Sequence, residues 1–435
     1  MLSILSAAPL LAPALATIQD EAHWPRWRGP NATGAVEADP PVKWTTEENV
    51  AWKVALPGHG KSTPIVWGDR LFVLAAVPTE EGTAEELAAR KVHEELRTET
   101  PTTKYAFLAM AFDRTTGEAL WESLLTEQLP VAGNHSTTGY ASYSPVADAD
   151  GLYVSLGSYG VYGVDQGTGD VLWEFDLGPQ ITRRGWGEGG SPAVHGDTLL
   201  VVADQEVGSY IVALDKTTGE ERWRRERPEV STWTTPLVVE AAGKTQAIVN
   251  GTTAARSYDL ETGEVLWSCD GQTTNASPAP VSDGERVLIT SGYRGSLAVV
   301  LPLDGKGDLR KTEGGILWSR TNGTPYVPSP VLVDGRVYMF SKNSGMLSCL
   351  DLATGEVLLD RERLDLGNVY ASPLAAGGRL YVADRDGVVL VLEHDDGLNV
   401  IARNDMGEAI DAAPVAIGGA LYLRTDTTLY AIGKP

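Results

Sequence analysis

The chain has 435 residues, 43% hydrophobic and 21% charged, enough for two or three ordinary domains or for one large closed repeat. Its 35 basic residues against 58 acidic ones leave a formal charge of -23, which argues against nucleic acid or anionic membrane surfaces as partners. Cys269 and Cys349 are too few for a disulfide scaffold, and their spacing leaves pairing open.

In chain order, Leu2 to Leu15 is almost wholly apolar and ends in Ala14-Leu15-Ala16, a small-x-small cleavage pattern, so residues 1–16 read as an export signal despite lacking Lys or Arg. The run is too short and Pro-broken to span a membrane, so the expected protein is periplasmic or secreted and not membrane-embedded. Residues 17–48 form an irregular Pro-rich arm with Trp24, Trp27 and Trp44, expected to lie against the body of the fold.

From Asn49 onward a repeat governs the sequence. A small residue followed by Pro opens a run of alternating apolar residues at Thr63, Ser144, Ser191, Thr235, Ser277, Ser329, Ser372 and Ala413. Most spacings are 41 to 52 residues, and the first, of 81, holds an insertion. Each unit continues through a Gly-bearing turn, a β-rich run, a strand ending in Asp, a Thr-Gly turn and a final strand carrying Trp, as in Ala213-Leu214-Asp215 to Gly219-Glu220 and Trp223. The Asp accepts hydrogen bonds from N–H groups two or three residues on, and the Gly supplies the left-handed position of a tight turn. The Trp is expected to pack between neighbouring sheets rather than on a cofactor.

Four short strands per 40–50 residues make one blade, so the chain is expected to be an all-β, eight-bladed β-propeller over residues 49–435, with seven blades as the alternative count. The last unit has three strands, and Asn49 to Leu56, with Trp52 in the docking position, supplies the missing outer one and closes the ring without a free edge. The insertion at 78–104 contains Ala84 to Arg97, rich in Glu, Ala, Leu and Arg, which favours a surface helix with a thin apolar stripe.

The motif Ala-x-Asp-x-x-Thr-Gly-x-x-x-Trp, at Ala111–Trp121 and Ala213–Trp223, resembles the docking motif of the quinoprotein-like (PQQ-binding-like) propeller repeat family. Relatives in fold are the outer-membrane assembly propeller lipoprotein and the pyrroloquinoline quinone (PQQ) alcohol dehydrogenases. The stretch Trp24-Pro25-Arg26-Trp27-Arg28-Gly29-Pro30 resembles an exported branch of planctomycete-type proteins. The resemblance implies the fold and not the chemistry. The dehydrogenases resemble one another in a vicinal Cys-Cys pair and a calcium site, and here there is neither Cys-Cys nor a recognisable calcium loop, which disfavours PQQ with calcium. The assembly lipoprotein resemblance implies an anchoring Cys at the mature N-terminus, which is missing.

A propeller binds ligands where the loops entering the innermost strands meet the loops between second and third strands. The repeat places His135, Arg183, Arg184, Trp186, Glu188, Tyr326, Tyr370 and Asp411 in the first set. It places Asp204, Asn250, Tyr293, Arg294, Lys342, Asn343 and Arg385 in the second. The stretch Arg183-Arg184-Gly185-Trp186-Gly187-Glu188-Gly189-Gly190 combines close backbone approach with groups suited to a planar or anionic ligand. The bland alternative has Arg and Glu pairing across the channel, with Tyr and Trp packed above. His135, Glu188 and Asp204 have acid–base chemistry, but no nucleophile, zinc spacing or phosphate loop accompanies them. The expected function is therefore a non-catalytic ligand- or protein-binding scaffold, with an oxidoreductase acting at the channel mouth as the alternative.

Overall fold

The computed structural model describes residues 23–89, 97–99, 101–394 and 398–435; the export-signal reading of 1–16 and the start of the arm lie outside them. Eight sheets follow one another around a central channel. The second blade shows the plan: Val146–Ala147 innermost, then Leu152–Ser155, Val161–Val164 and Val171–Phe175, each antiparallel to its neighbour. In the eighth, Val415–Ile417, Gly419–Arg424 and Thr428–Lys434 are completed by Val50–Ala55 from the start of the ring. The expected closure is thus the observed one. Middle strands such as Leu199–Val201 and Leu421–Leu423 are buried on both faces, because each sheet packs between two others.

The repeat motif explains why adjacent blades stay in register. Asp215 Oδ1 accepts from the N–H groups of Thr217 and Thr218 at 2.9 and 3.0 Å, and Gly219 N–H closes onto Asp215 O at 2.8 Å. These N–H donors also hold the Asp215 carboxyl below the usual range, second to the Arg222 guanidinium beside it. Trp173 of the preceding blade lies across this turn and donates Nε1–H to Lys216 O at 2.9 Å. The same contact joins Trp52 to Arg114 O, Trp121 to Gln166 O, Trp223 to Leu260 O and Trp318 to Leu352 O. Trp267 is buried, but its Nε1 has no partner among the described residues, because the fifth blade replaces the Asp-x-x-Thr-Gly turn by a longer excursion that pairs Gly307–Asp308 onto Val265–Asp270.

The small-residue-plus-Pro positions are joined by a second set of bonds around the channel. The backbone N–H of Thr63 donates to Ser144 Oγ, that of Ser144 to Ser191 Oγ, and that of Ser191 to Thr235 Oγ1, at 3.0, 3.0 and 3.1 Å. Ala279 and Ser329 continue the series to Ser329 and Ser372, and Ala413 N–H returns to Thr63 Oγ1 at 3.0 Å. These hydroxyls therefore satisfy N–H groups at the crowded axis that the blades' own ladders leave over.

Two extra-repeat segments depart from expectation. The arm does not merely lie against the body; it crosses the channel. Trp24 pairs with Val66 of the first blade, Pro25 O accepts from Ala147 N of the second, Thr33 O from Leu332 N of the sixth, and Ala35–Val36 runs parallel to Leu374–Ala376 of the seventh. Arg28, buried without a carboxylate, donates to Pro373 O and Pro330 O, both at 3.0 Å, and burial lowers its pKa to about 9. The arm then passes outward along the seventh and eighth blades, with Trp44 N–H on Asn404 Oδ1 and Trp44 stacked near Tyr381. The insertion is largely extended: strands Arg70–Glu81 and Thr103–Asp113 run on past the blade, and the described helix covers only Ala84–Ala89, capped reciprocally by Thr83 and Glu86.

Candidate ligand site at the channel mouth

The loops entering the innermost strands surround a cavity of about 340 Å³, at the small end of ligand sites. The arm crosses on the side of the hydroxyl ring away from this mouth, and Trp27 contributes to the cavity lining, so the channel is a bowl rather than a pore.

Its wall is aromatic. Trp186 and Trp233 have centroids 6.5 Å apart, Tyr293 meets Trp186 edge-on at 6.1 Å, and Tyr326 lies 4.9 Å from Tyr293. Trp233 is fixed by donating Nε1–H to Gly187 O at 2.8 Å, and the Thr138 hydroxyl and His135 N–H both reach Trp186 O. The glycines of 183–190 permit this. A Cβ on Gly190 would meet Thr234 O at 2.8 Å, and Gly187 has φ +92°. The insertion returns here too, with Arg97 N–H on Arg184 O and Thr98 Oγ1–H on Gly185 O.

The carboxylates at the mouth are committed to partners. Glu188 Oε2 accepts from Tyr143 OH at 2.9 Å and Ser158 N–H at 2.8 Å, while Oε1 accepts from Ser158 Oγ–H at 2.7 Å. Burial pushes its pKa up to about 7, with the Ser158 and Tyr143 donors pulling the other way. Asp411 is held between Lys61 at 3.0 Å and Arg385 at 2.8 Å, and Lys61 also pairs with Asp426. Arg385 covers the Tyr370 ring at 4.7 Å. The pairing of Arg183 or Arg184 with Glu188 across the channel does not occur. Arg183 N–H donates to Ser231 Oγ, and Arg184, exposed at φ 57°, lies 5.6 Å from the Trp186 ring.

Of the residues expected at the mouth, His135, Trp186, Glu188, Tyr293, Tyr326, Tyr370 and Asp411 line the cavity. The others do not line it, although Arg184 and Arg385 border it through Trp186 and Asp411. Asp204 is buried against Arg227, with bonds of 2.7 and 3.0 Å and a third from Thr232, an internal ion pair rather than a ligand group. Asn250 is fully buried and ties Pro278 O and Thr290 O together. Asn343 Oδ1 accepts Val327 N–H, so it shapes the loop under Tyr326. Arg294 and Lys342 are exposed rim residues with positive φ. Overlooked were Trp27 and the hydroxyls of Thr63, Ser144, Ser191 and Thr235, all of which line the cavity. The signal was present: seven of the eight small-plus-Pro positions are Ser or Thr where Ala would serve for size alone.

An eight-bladed ring of the quinoprotein-like type, with an aromatic bowl at one end of its channel, is the class these features define. Residues 42–174, 157–308 and 307–432 each match the family model described as outer membrane protein assembly factor BamB, and the chain belongs to that family. It is 26% identical over 329 residues to the BamB of Burkholderia pseudomallei, covering 66% of this chain and 82% of that protein. To the BamB of Salmonella typhimurium it is 34% identical over 95 residues, 22% of this chain and 23% of that one. Among solved structures it is similar in fold to the quinohemoprotein alcohol dehydrogenase of Comamonas testosteroni, with a TM-score of 0.64 at 13% identity over 95% of this chain and 81% of that one. A europium-containing methanol dehydrogenase gives a TM-score of 0.65 at 11% identity over 96% of this chain and 99% of that one. Among the described residues no helix is long and apolar enough to cross a membrane.

Proposed function

We propose that this protein is a non-catalytic binding scaffold outside the cytoplasm, taking its ligand in the channel-mouth bowl and offering its rim to protein partners. The observation that carries this reading is the state of the charges around the bowl. Glu188 is saturated by three donors and Asp411 by two cations, and the remaining base of the lining, His135, is exposed and shares its Nδ1 with the Thr137 hydroxyl of its own loop at 2.8 Å, with no carboxylate among the described residues to orient it. The aromatic faces and the lining hydroxyls are what remain for contact. Membership of an assembly-factor family supports protein partners on the rim and an envelope address.

A PQQ enzyme is the second reading, kept by the fold of the dehydrogenases. The residues fit the cofactor poorly. Cys269 and Cys349 are not joined in a disulfide and lie buried in the fourth and sixth blades, so no vicinal pair can lie over a quinone. Among the described residues no three His, Cys, Asp or Glu side chains converge on a point that a cation would occupy. A tricarboxylate would find Lys61 already bound to two aspartates. The test is titration of the mature protein with PQQ and calcium, following Trp fluorescence and dye-linked oxidation of alcohols and glucose. The expected result is no turnover; dye reduction that depends on PQQ would overturn the non-catalytic reading.

A further inference from the structure

The chemistry of the bowl narrows its ligand further, on the reading that the bowl is a binding site. Thr63, Ser144, Ser191 and Thr235 each accept a backbone N–H from the neighbouring blade. No described acceptor takes their hydroxyl protons, yet Thr63, Ser144 and Ser191 are more than nine-tenths buried and all four line the cavity. Burying a hydroxyl donor without an acceptor is costly, so three of them together, with the half-buried Thr235 beside them, point to an acceptor supplied from outside.

The charge pattern decides between ligand classes. A cation would face hydroxyl protons, and both nearby carboxylates are already spent on internal partners. An anion would find one lysine held between Asp411 and Asp426. A neutral molecule carrying several oxygens meets neither penalty. The aromatic wall asks for a ligand with one flat apolar face, of the kind that a ring with C–H groups on one side presents to an indole.

We infer that the bowl binds a neutral hexopyranoside, with its apolar face on Trp186 and Trp233 and its oxygens taking hydrogen bonds from the hydroxyls of Thr63, Ser144, Ser191 and Thr235. The cavity of about 340 Å³ admits one or two sugar rings.

The test is calorimetry and Trp fluorescence on the mature protein with methyl glucoside, methyl galactoside, methyl mannoside and methyl N-acetylglucosaminide. Choline chloride and sodium gluconate serve as cationic and anionic probes. The expected result is saturable binding of at least one glycoside with a Kd of about 1 mM or tighter, and none of choline or gluconate. Thr235→Val should weaken it about two- to tenfold and Thr235→Ser restore it, while Trp186→Ala weakens it about tenfold with an unchanged melting profile. Preference for choline or gluconate, or no glycoside binding, overturns the inference. Failure here with no PQQ-dependent turnover leaves the non-catalytic reading standing, whereas sugar binding followed by PQQ-dependent oxidation of glucose would keep this site and remove that reading.

Discussion

Gly219→Ala isolates the contact that holds one blade to the next. Gly219 has φ +74°, and a Cβ there would lie 2.5 Å from the Trp173 ring. Alanine in the left-handed region costs about 1–2 kcal/mol. Forcing the indole off the turn adds about 1–3 kcal/mol of overpacking, and the Trp173 to Lys216 hydrogen bond, worth about 0.5–1.5 kcal/mol, goes with it. The expected loss is about 2.5–6.5 kcal/mol. Gly243→Ala is the internal control: its φ is also +74°, and nothing lies within 4 Å of its Cβ position. It should cost only the conformational 1–2 kcal/mol. Urea denaturation followed by far-UV circular dichroism compares the two at equal slope. In a Trp173→Leu background, Gly219→Ala should fall to the control value. Equal destabilisation by Gly219→Ala and Gly243→Ala would refute the idea that the motif glycine exists to receive the indole.

Other outcomes follow from the same geometry. Asp204→Ala strands the Arg227 guanidinium in the interior and should cost about 3–5 kcal/mol, read from the urea midpoint, while leaving any mouth ligand in place. Glu188 holds its proton up to about pH 7 in the folded chain against an ordinary value of 4.5, so its contribution to stability falls as pH rises from about 4.5 to 7 and is flat above. Glu188→Gln should remove that slope, a change of roughly 1–3 kcal/mol in melts at pH 5 and 8, discounted because the carboxyl still borders the open cavity. The Cys269 thiol is pushed up to about 11 by burial and Cys349 is likewise buried, so both should resist Ellman's reagent until the chain unfolds; fast labelling would contradict their burial. Trp52→Ala should cost about 3–5 kcal/mol and expose Val50–Ala55 to protease before any other strand.

The ring was readable in advance because its signals are local and repeated. Asp, Gly and Trp stand at fixed offsets, each required by a turn or by the neighbour one repeat away, so Trp52 could be assigned to the last blade from sequence. The site was readable only in part. Loop position found Trp186, Glu188 and Tyr293, since the entering loops face the axis by construction. It failed for Asp204 and Asn250, whose loops turn inward, the first to Arg227 at the end of its own blade and the second to the Pro278 carbonyl of the next; such pairings join residues with no fixed spacing. Trp27 was missed for a related reason. It belongs to no repeat, and its place in the cavity follows from Arg28 meeting carbonyls at positions 330 and 373, a contact over some three hundred residues.

The arm gives the ring a second fastening of a different kind. Outer closure by Val50–Ala55 joins neighbours along the circumference, but the arm links the second blade to the sixth, which face each other across the axis. It acts as a tie-rod: spreading the ring in any direction that separates those two blades must first draw Arg28 out of its cradle of carbonyls. A ring braced across its diameter resists widening, so a ligand of the proposed site would have to match a shape that is already set, and would be spared the entropic cost of ordering it.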